Sequence, residues 1–410
     1  MNSCQAFRKS NVRKTLVIIF KGKTLRICFV SLEFPPFQVG GSGIYAEKIT
    51  NALSKLGHDV TVITPMFMQK KAIENIGKLK VIRVPIVSFP SLRFFSFEIS
   101  RFLGCRRDNF DIVHLNDGCH LINGNSHQPI VVTVHHSPRV LRARSLADGC
   151  LKDFITGELN PLNAYMEKKT LKKSNKIISV SEDTKVSIIS QYGLDSEKIA
   201  IVPNGFDLNN FIFSKAETTE IKQSFGIMDG EKLIVSTAGR IDDPRKGIKY
   251  LMLALVKVLK RHKNVKCVIT GSGDLRSLSA YLDDLPVGTV KFVGYTSDNV
   301  KRKLVAACDL FVLPSLHEGF SLSILEAMGA RKPVISTNSG AIPELIVQKK
   351  NGVLVEPRNY LQLSEAIDSL LFDEKQAQEF GQCSYQRSKG FSWERTAKLT
   401  EQVYTDTLRC

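Results

Sequence analysis

Paired cysteines are missing. The nine cysteines between Cys4 and Cys410 include no CxxC, which excludes common zinc and dithiol patterns and argues against a disulfide framework in so long a chain. Long apolar runs are missing too. None approaches the roughly 18 residues of a membrane span. The longest early run, Leu16 to Phe20, is shorter than the roughly 7–15-residue core of a secretory signal. The expectation is a cytoplasmic protein, at most peripheral at the inner membrane face. There is no P-loop, no GxSxG, no His/Cys/Asp/Glu trio at metal-ligand spacing and no DxD pair at a strand end. Asp242-Asp243 and Asp283-Asp284 are adjacent acids in loops, poor metal cages. No metal and no cofactor is expected.

Acid is in short supply. Lys and Arg total 57 against 40 Asp and Glu, a net charge of +17, which favours an anionic partner. Nucleic acid is disfavoured, because the charge is spread along the chain and aromatic recognition motifs are missing. With 43% hydrophobic and 24% charged residues the composition is globular, and 410 residues exceed what one core usually supports.

The sequence alternates strands and helices. LRICFVSL, from Leu25, reads as a buried strand. A turn-rich stretch, PPFQVGGSG, leads to a helix from Ile44 to Leu56, stopped by Gly57, and DVTVITP is the next strand. This is a βαβ unit, hence a parallel sheet. KVIRV, DIVHL, PIVVTV and KIISV continue it. After a polar, poorly periodic stretch, Leu208 to Glu231, the rhythm restarts with LIVSTAG, then CVITG, VKFVG, LFVLP, PVIST and GVLVE, and ends in a helix from Trp393 to Leu408. The expected fold is α/β, two doubly wound Rossmann-like domains facing across a cleft. The expected divisions are a basic tail at 1–24, one domain at 25–205, a second at 206–392, and a C-terminal helix, 393–410, packing back near the first.

Ligands of such sheets bind beyond the carboxyl ends of strands. After LFVLP come Glu318 and Gly319, then a helix through Glu326. The amides of Phe320, Ser321, Leu322 and Ser323 would lie at a helix N-terminus, which attracts phosphate. Glycine at 319 permits close backbone approach. Glu318 and Glu326 would accept from sugar and ribose hydroxyls; equally, Ser323-Ile-Leu-Glu326 matches a capping box. After LIVSTAG, Arg240 and Lys246 suit a diphosphate, or are solvated loop charges. Gly40 and Gly41 stand in VGGSG, which fails GxGxxG, and no acid closes the second strand, disfavouring a nicotinamide dinucleotide. His135 or His136, after PIVVTV, projects into the cleft as a polar or packing residue; His58 and His114 read as structural. Residues 89–107 combine phenylalanines with arginines, and Leu92, Phe95, Ile99 and Phe102 fall at helical spacing, which suits a core-facing helix or an interfacial one.

Together these segments resemble the retaining nucleotide-sugar glycosyltransferases of GT-B architecture, the family-four group that includes phosphatidylinositol mannosyltransferases. EGFSLSILEAMGARKPVIST is similar to the family's E-x7-E element and GRIDDPRKG to its basic loop; VSEDTK, IVPNGFD and FSWERTA add to the likeness. GGSG departs mildly from the family's first loop, and Val39 argues against the glycogen-synthase branch. The resemblance implies a uridine- or guanosine-diphosphate sugar donor and transfer with retention, independent of metal. Arg240 and Lys246 would clamp the diphosphate, and Gly40 and Gly41 would approach it. Glu318 and the amides after Gly319 would hold the sugar, Glu326 the ribose, and His135 would face the sugar. Loops Gly271–Gly273 and Gly294–Thr296 would line the base pocket. The basic tail and residues 89–107 tilt the acceptor toward a lipid-linked or cell-envelope glycan precursor at an anionic membrane surface. The alternative is a nucleotide-sugar 2-epimerase, with His135 and Glu318 as acid–base candidates.

Overall fold

A computed structural model describes residues 24–38, 40–66, 71–85, 110–116, 119, 128–136 and 161–409. The basic tail up to residue 23, Val39 and residues 89–107 lie outside the described residues.

Two sheets carry the fold. The first comprises β1 (Arg26–Val30), β2 (Asp59–Met66), β3 (Ile73–Ile76), β4 (Leu79–Pro85), β5 (Ile112–Asn116), β6 (Ile130–Val134), β7 (Lys176–Ser179) and β8 (Ile199–Ile201), in the order β3-β4-β2-β1-β5-β6-β7-β8. Every neighbouring pair is parallel except the β3–β4 hairpin. The second comprises β9 (Lys232–Arg240), β10 (Val265–Ser272), β11 (Val290–Phe292), β12 (Leu310–Leu313), β13 (Val334–Thr337) and β14 (Val353–Val355), in the order β11-β10-β9-β12-β13-β14, all parallel. The central strands are buried on both faces, as their β-branched runs require. The strand order reverses between β1 and β5 and again between β9 and β12. Crevices open beyond the strand ends at such points.

Three local differences from expectation have physical causes. β3 was not foreseen: Ile-Glu-Asn-Ile is an edge strand, with Ile73 exposed, so no buried run announces it. The polar stretch after Leu208 contains a helix, Lys215–Ser224, closed by a capping box between Ser214 and Glu217. Its Ser-x-x-Glu signature was visible, but the helix has no buried residue to supply an apolar stripe. The first helix runs Gly41–Lys55, with Gly40 as its N-cap, so Gly41 and Gly43 belong to its first turn. Gly43 is required there, because a Cβ would stand 2.7 Å from Glu33 Oε2.

The C-terminal helix, Trp393–Arg409, crosses back to the first sheet. Its Trp393, Ala397, Val403 and Tyr404 share one core with Ile27, Phe29, Tyr45 and Ile49. Tyr404 also reaches His114 in β5: the phenol oxygen is 2.5 Å from Nδ1, while Nε2 lies 2.7 Å from Thr133 Oγ1. The imidazole is fully enclosed. Burial, then the neighbouring His135, lowers its pKa to about 3.

This enclosure has a sign. The unfolded chain takes up a proton at His114 below about pH 6.5, and the folded chain resists it down to about 3. The stabilisation is therefore present above about pH 6.5 and lost progressively toward pH 3. In urea titrations between pH 6.5 and 4.5, wild-type stability should fall more steeply than that of His114→Gln, by up to about 1.4 kcal/mol per pH unit. Parallel profiles would show that His114 is not held neutral.

Candidate active site

The loop from Pro314 to Ser321, after β12, is fixed through its backbone. Gly247 takes φ 66° beneath it, where a Cβ would stand 1.9 Å from the Pro314 oxygen. Leu316 N–H donates to the Arg245 oxygen at 2.6 Å. From beyond β13, Ser339 Oγ donates to the Leu316 oxygen (2.7 Å) and Ala341 N–H to the Glu318 oxygen (2.9 Å); Thr337 Oγ1 donates to the Ser315 oxygen. The loop is thereby tied to the strand ends on both sides, and the Glu318 side chain is buried with them. Its Oε1 accepts from Lys246 Nζ at 2.8 Å and from Ser315 Oγ at 2.7 Å.

The helix that follows, Leu322–Gly329, is capped by Ser321, whose Oγ accepts from Ile324 N–H. The alternative capping box of Ser323 and Glu326 does not form, because the helix already starts at Leu322. Glu326 lies in its second turn, and Oε1 accepts from Lys301 Nζ at 3.0 Å. Lys301 belongs to the Asp298–Ala307 helix. Burial alone would depress the Lys301 pKa, but the Glu326 carboxylate outweighs it and raises the value. The other carboxylate oxygen, Oε2, is buried without a hydrogen-bond partner. The amides of Leu322 and Ser323 stand at the positive end of the helix without intrahelical acceptors. The Phe320 ring packs against Phe391, centroids 5.7 Å apart.

At the end of β9, Arg240 makes a two-pronged contact with Asp242, Nε to Oδ1 and the terminal nitrogen to Oδ2, both 3.0 Å. That contact holds the Asp242 carboxyl below the usual range. The Arg240 side chain is thus largely exposed, while Lys246 is drawn in against Glu318.

The first sheet supplies the opposite wall. Gly40 N–H donates to Glu33 Oε2 at 2.9 Å. Asn116, at the end of β5, donates from Nδ2 to the Ser42 oxygen (3.2 Å), and its Oδ1 is 3.0 Å from His135 Nε2. The His135 ring also rests edge-on against Tyr45, centroids 4.6 Å apart. The two lobes meet here. A Cβ on Gly41 would come within 3.8 Å of Leu322 Cδ1, and one on Gly319 would fall 1.8 Å from the His135 oxygen. The close approach that Gly319 permits is therefore by the main chain of the other lobe.

Across the lobe boundary Gly41 thus comes near Leu322 and Gly319 meets His135, with Gly40 next to the first contact and Ser321 and the Lys246–Glu318 pair next to the second. Arg240 and Glu326 are each paired with another group. Sequence reasoning missed Lys301, Ser315 and Asn116. Ser315 and Asn116 follow or end strands at the switch points, a usable signal. Lys301 gave none, because its partner lies on another helix.

The family described as "Glycosyl transferases group 1" matches residues 217–387, and "Glycosyltransferase Family 4" matches residues 39–210. An uncharacterized glycosyltransferase of Methanocaldococcus jannaschii is 31% identical over 400 residues, covering 93% of this chain and 98% of the relative. Among solved structures, sucrose-phosphate synthase from Thermosynechococcus elongatus aligns with a TM-score of 0.78 at 20% identity, over 93% of this chain and 98% of that one. Anabaena HepE in complex with UDP and glucose aligns with a TM-score of 0.73 at 18% identity, over 93% and 100%. These likenesses establish the GT-B fold, and the transferase names do not favour the epimerase alternative.

The interlobe contact at Gly319 is testable. Gly319→Ala places a methyl group where the His135 oxygen stands, so the lobes must separate. Small-angle scattering should show a larger radius of gyration for the variant, with far-ultraviolet circular dichroism unchanged. An unchanged radius would show that the lobes do not meet at this point in solution.

Proposed function

For this chain, which belongs to the glycosyl transferases group 1 and family-4 glycosyltransferases, we propose that the interlobe cleft takes a nucleoside-diphosphate sugar and passes its sugar to an acceptor with retention. One observation carries the reading: the Lys246–Glu318 pair (2.8 Å) lies one loop from the front of the Leu322–Gly329 helix, opposite Gly41. That supplies a cation, amide dipoles and a hydroxyl-accepting carboxylate around one point. The relative HepE, whose structure contains UDP and glucose, supports the donor class.

The leaving group of such a donor is a nucleoside diphosphate, already stable as an anion. It needs positive charge and oriented dipoles rather than a general acid, which distinguishes the site from the paired carboxylic acids of a hydrolase. In the proposal Arg240 exchanges Asp242 for the diphosphate. Lys246 bridges the phosphate and Glu318. The helix front takes the remaining charge, so charge neutralisation requires no metal. Glycine at 40 and 41 leaves the backbone open to the phosphates. Glu318 accepts from sugar hydroxyls and Glu326 from ribose hydroxyls. His135, fixed by Asn116, faces the sugar. The anomeric carbon–oxygen bond breaks with its electron pair leaving on the diphosphate. The acceptor oxygen bonds to the same face of that carbon, and its proton passes to the departing phosphate oxygen. Apposed lobes exclude water and so limit hydrolysis.

The acceptor half of the proposal, a lipid-linked or envelope-glycan precursor at an anionic membrane, rests on the sequences of residues 1–24 and 89–107. No helix among the described residues is long and apolar enough to cross a membrane.

Thermal shift with uridine, guanosine and adenosine diphosphates should show stabilisation by at least one. Arg240→Ala and Lys246→Ala should each weaken it by roughly 10–100-fold, the scale of a lost charge-assisted hydrogen bond. Full binding by both variants would refute the donor placement. Proton NMR of the first product formed should show the donor's anomeric configuration, and inversion would remove the retaining part. Co-sedimentation with phosphatidylglycerol vesicles, lost on removal of residues 1–24, tests the membrane part.

A further inference from the structure

Glu326 has two oxygens in unlike situations. Oε1 is held by Lys301 Nζ at 3.0 Å, and Oε2 is buried with no partner. The carboxylate is 15% and the lysine 21% exposed, so both charges are largely withdrawn from water. A buried acceptor without a donor is unfavourable and uncommon in a folded chain. The lysine does not relieve it, although its tip also lies 3.7 Å from Asp298 Oδ1.

The position of Lys301 gives the pair a direction. Its helix starts after Ser297, which caps it through Oγ to Val300 N–H, and Ser297 directly follows the Gly294–Thr296 loop at the end of β11. Glu326 belongs to the helix after β12. The ion pair therefore ties the helix behind the β11 loop to the helix whose front faces Gly41. A flexible lysine has three donors and no acceptor. Held between Asp298 and Glu326, it fixes the carboxylate's rotamer and leaves Oε2 buried without a donor.

We propose that Lys301 is a positioning residue for nucleoside recognition: it holds one oxygen of Glu326 and leaves the other, buried and lacking a protein donor, to be satisfied by the ribose hydroxyls when a nucleoside enters. The inference rests on the reading of Glu326 as the ribose ligand and adds the group that makes Glu326 competent. Lys301 touches no part of the donor, so its loss acts on ribose alone and spares the diphosphate.

The test compares two ligands by isothermal titration calorimetry: whichever of uridine, guanosine or adenosine diphosphate the wild type binds best, and its 2′,3′-dideoxy analogue. Lys301→Ala should bind the ribose form about tenfold more weakly and the dideoxy form within about twofold of wild type. Lys301→Arg should restore the ribose form to within about threefold, because it returns a donor to Oε1. Lys301→Met keeps the apolar stem and is read in the same way, which guards against a folding loss. Equal weakening of both ligands, or of neither, overturns the proposal. A different result, wild type and Glu326→Gln each binding the two ligands alike, removes the ribose reading beneath it.

Discussion

The loop between β12 and its helix is held by its main chain, and the cleft is positioned from it. The backbone oxygens of Pro314, Ser315, Leu316 and Glu318 and the Leu316 amide meet neighbours from other strand ends, and Gly319 meets the His135 oxygen of the other lobe. Two of those neighbours are glycines at positive φ, Gly247 at 66° and Gly340 at 58°, each with its α-carbon against a loop oxygen. No side chain fits there. A loop pinned this way has little freedom to adapt, so Glu318 and the helix front stand at fixed points before any ligand arrives. Such preorganisation is what electrostatic stabilisation of a departing anion requires.

Charge in the cleft is balanced locally despite a chain of net +17. Arg240 has Asp242, Lys246 has Glu318 and Lys301 has Glu326. A lysine buried alone would tend to lose its proton; at Lys301 the Glu326 carboxylate outweighs burial and raises the pKa. The three pairs differ in exposure, and that sets their use. Arg240, 61% exposed, can change partner at little desolvation cost. Lys246 and Lys301, at 24% and 21%, are costly to strip of their partners. They are better suited to bridging or positioning than to swinging free.

How much of this was legible in the sequence follows from where the stabilising contacts lie along the chain. Central parallel strands were readable because burial on both faces forces β-branched runs such as IVVTV. The half-exposed β3 was not. The glycine loop and the Glu318–Glu326 element announce themselves by type and spacing, yet the sequence leaves the helix cap open. Ser321 and Ser323 are both plausible caps, and only the backbone angles decide for Ser321. The Lys301–Glu326 pair was invisible, since it joins the first turn of one helix to the second turn of another. In the sequence, glycine at 319 indicates only room for a close backbone approach. The structure fills that room with the His135 oxygen, a contact across two domains that no local pattern encodes.

The chain passes between the lobes twice, and the two passages lie back to back. A Cβ on Gly205 would be 2.4 Å from the Trp393 nitrogen. Phe206 bridges to Ser392, and Thr396 Oγ1 donates to the Pro203 oxygen at 2.8 Å. Away from this double crossing, contacts between the lobes among the described residues include Gly319 on His135, Gly41 near Leu322, and the Glu344 carboxylate accepting from Glu182 and Asp183 N–H at 3.1 and 3.0 Å. Any change in the angle between lobes must therefore bend both crossings together, while it makes or breaks those cleft contacts. The packed core at the crossing, with Phe206 against Gly329 and Trp393 under Tyr45, resists sliding. The remaining freedom is a hinge, and its far end is the place where Glu318, Gly319 and the helix front face Gly41 and His135.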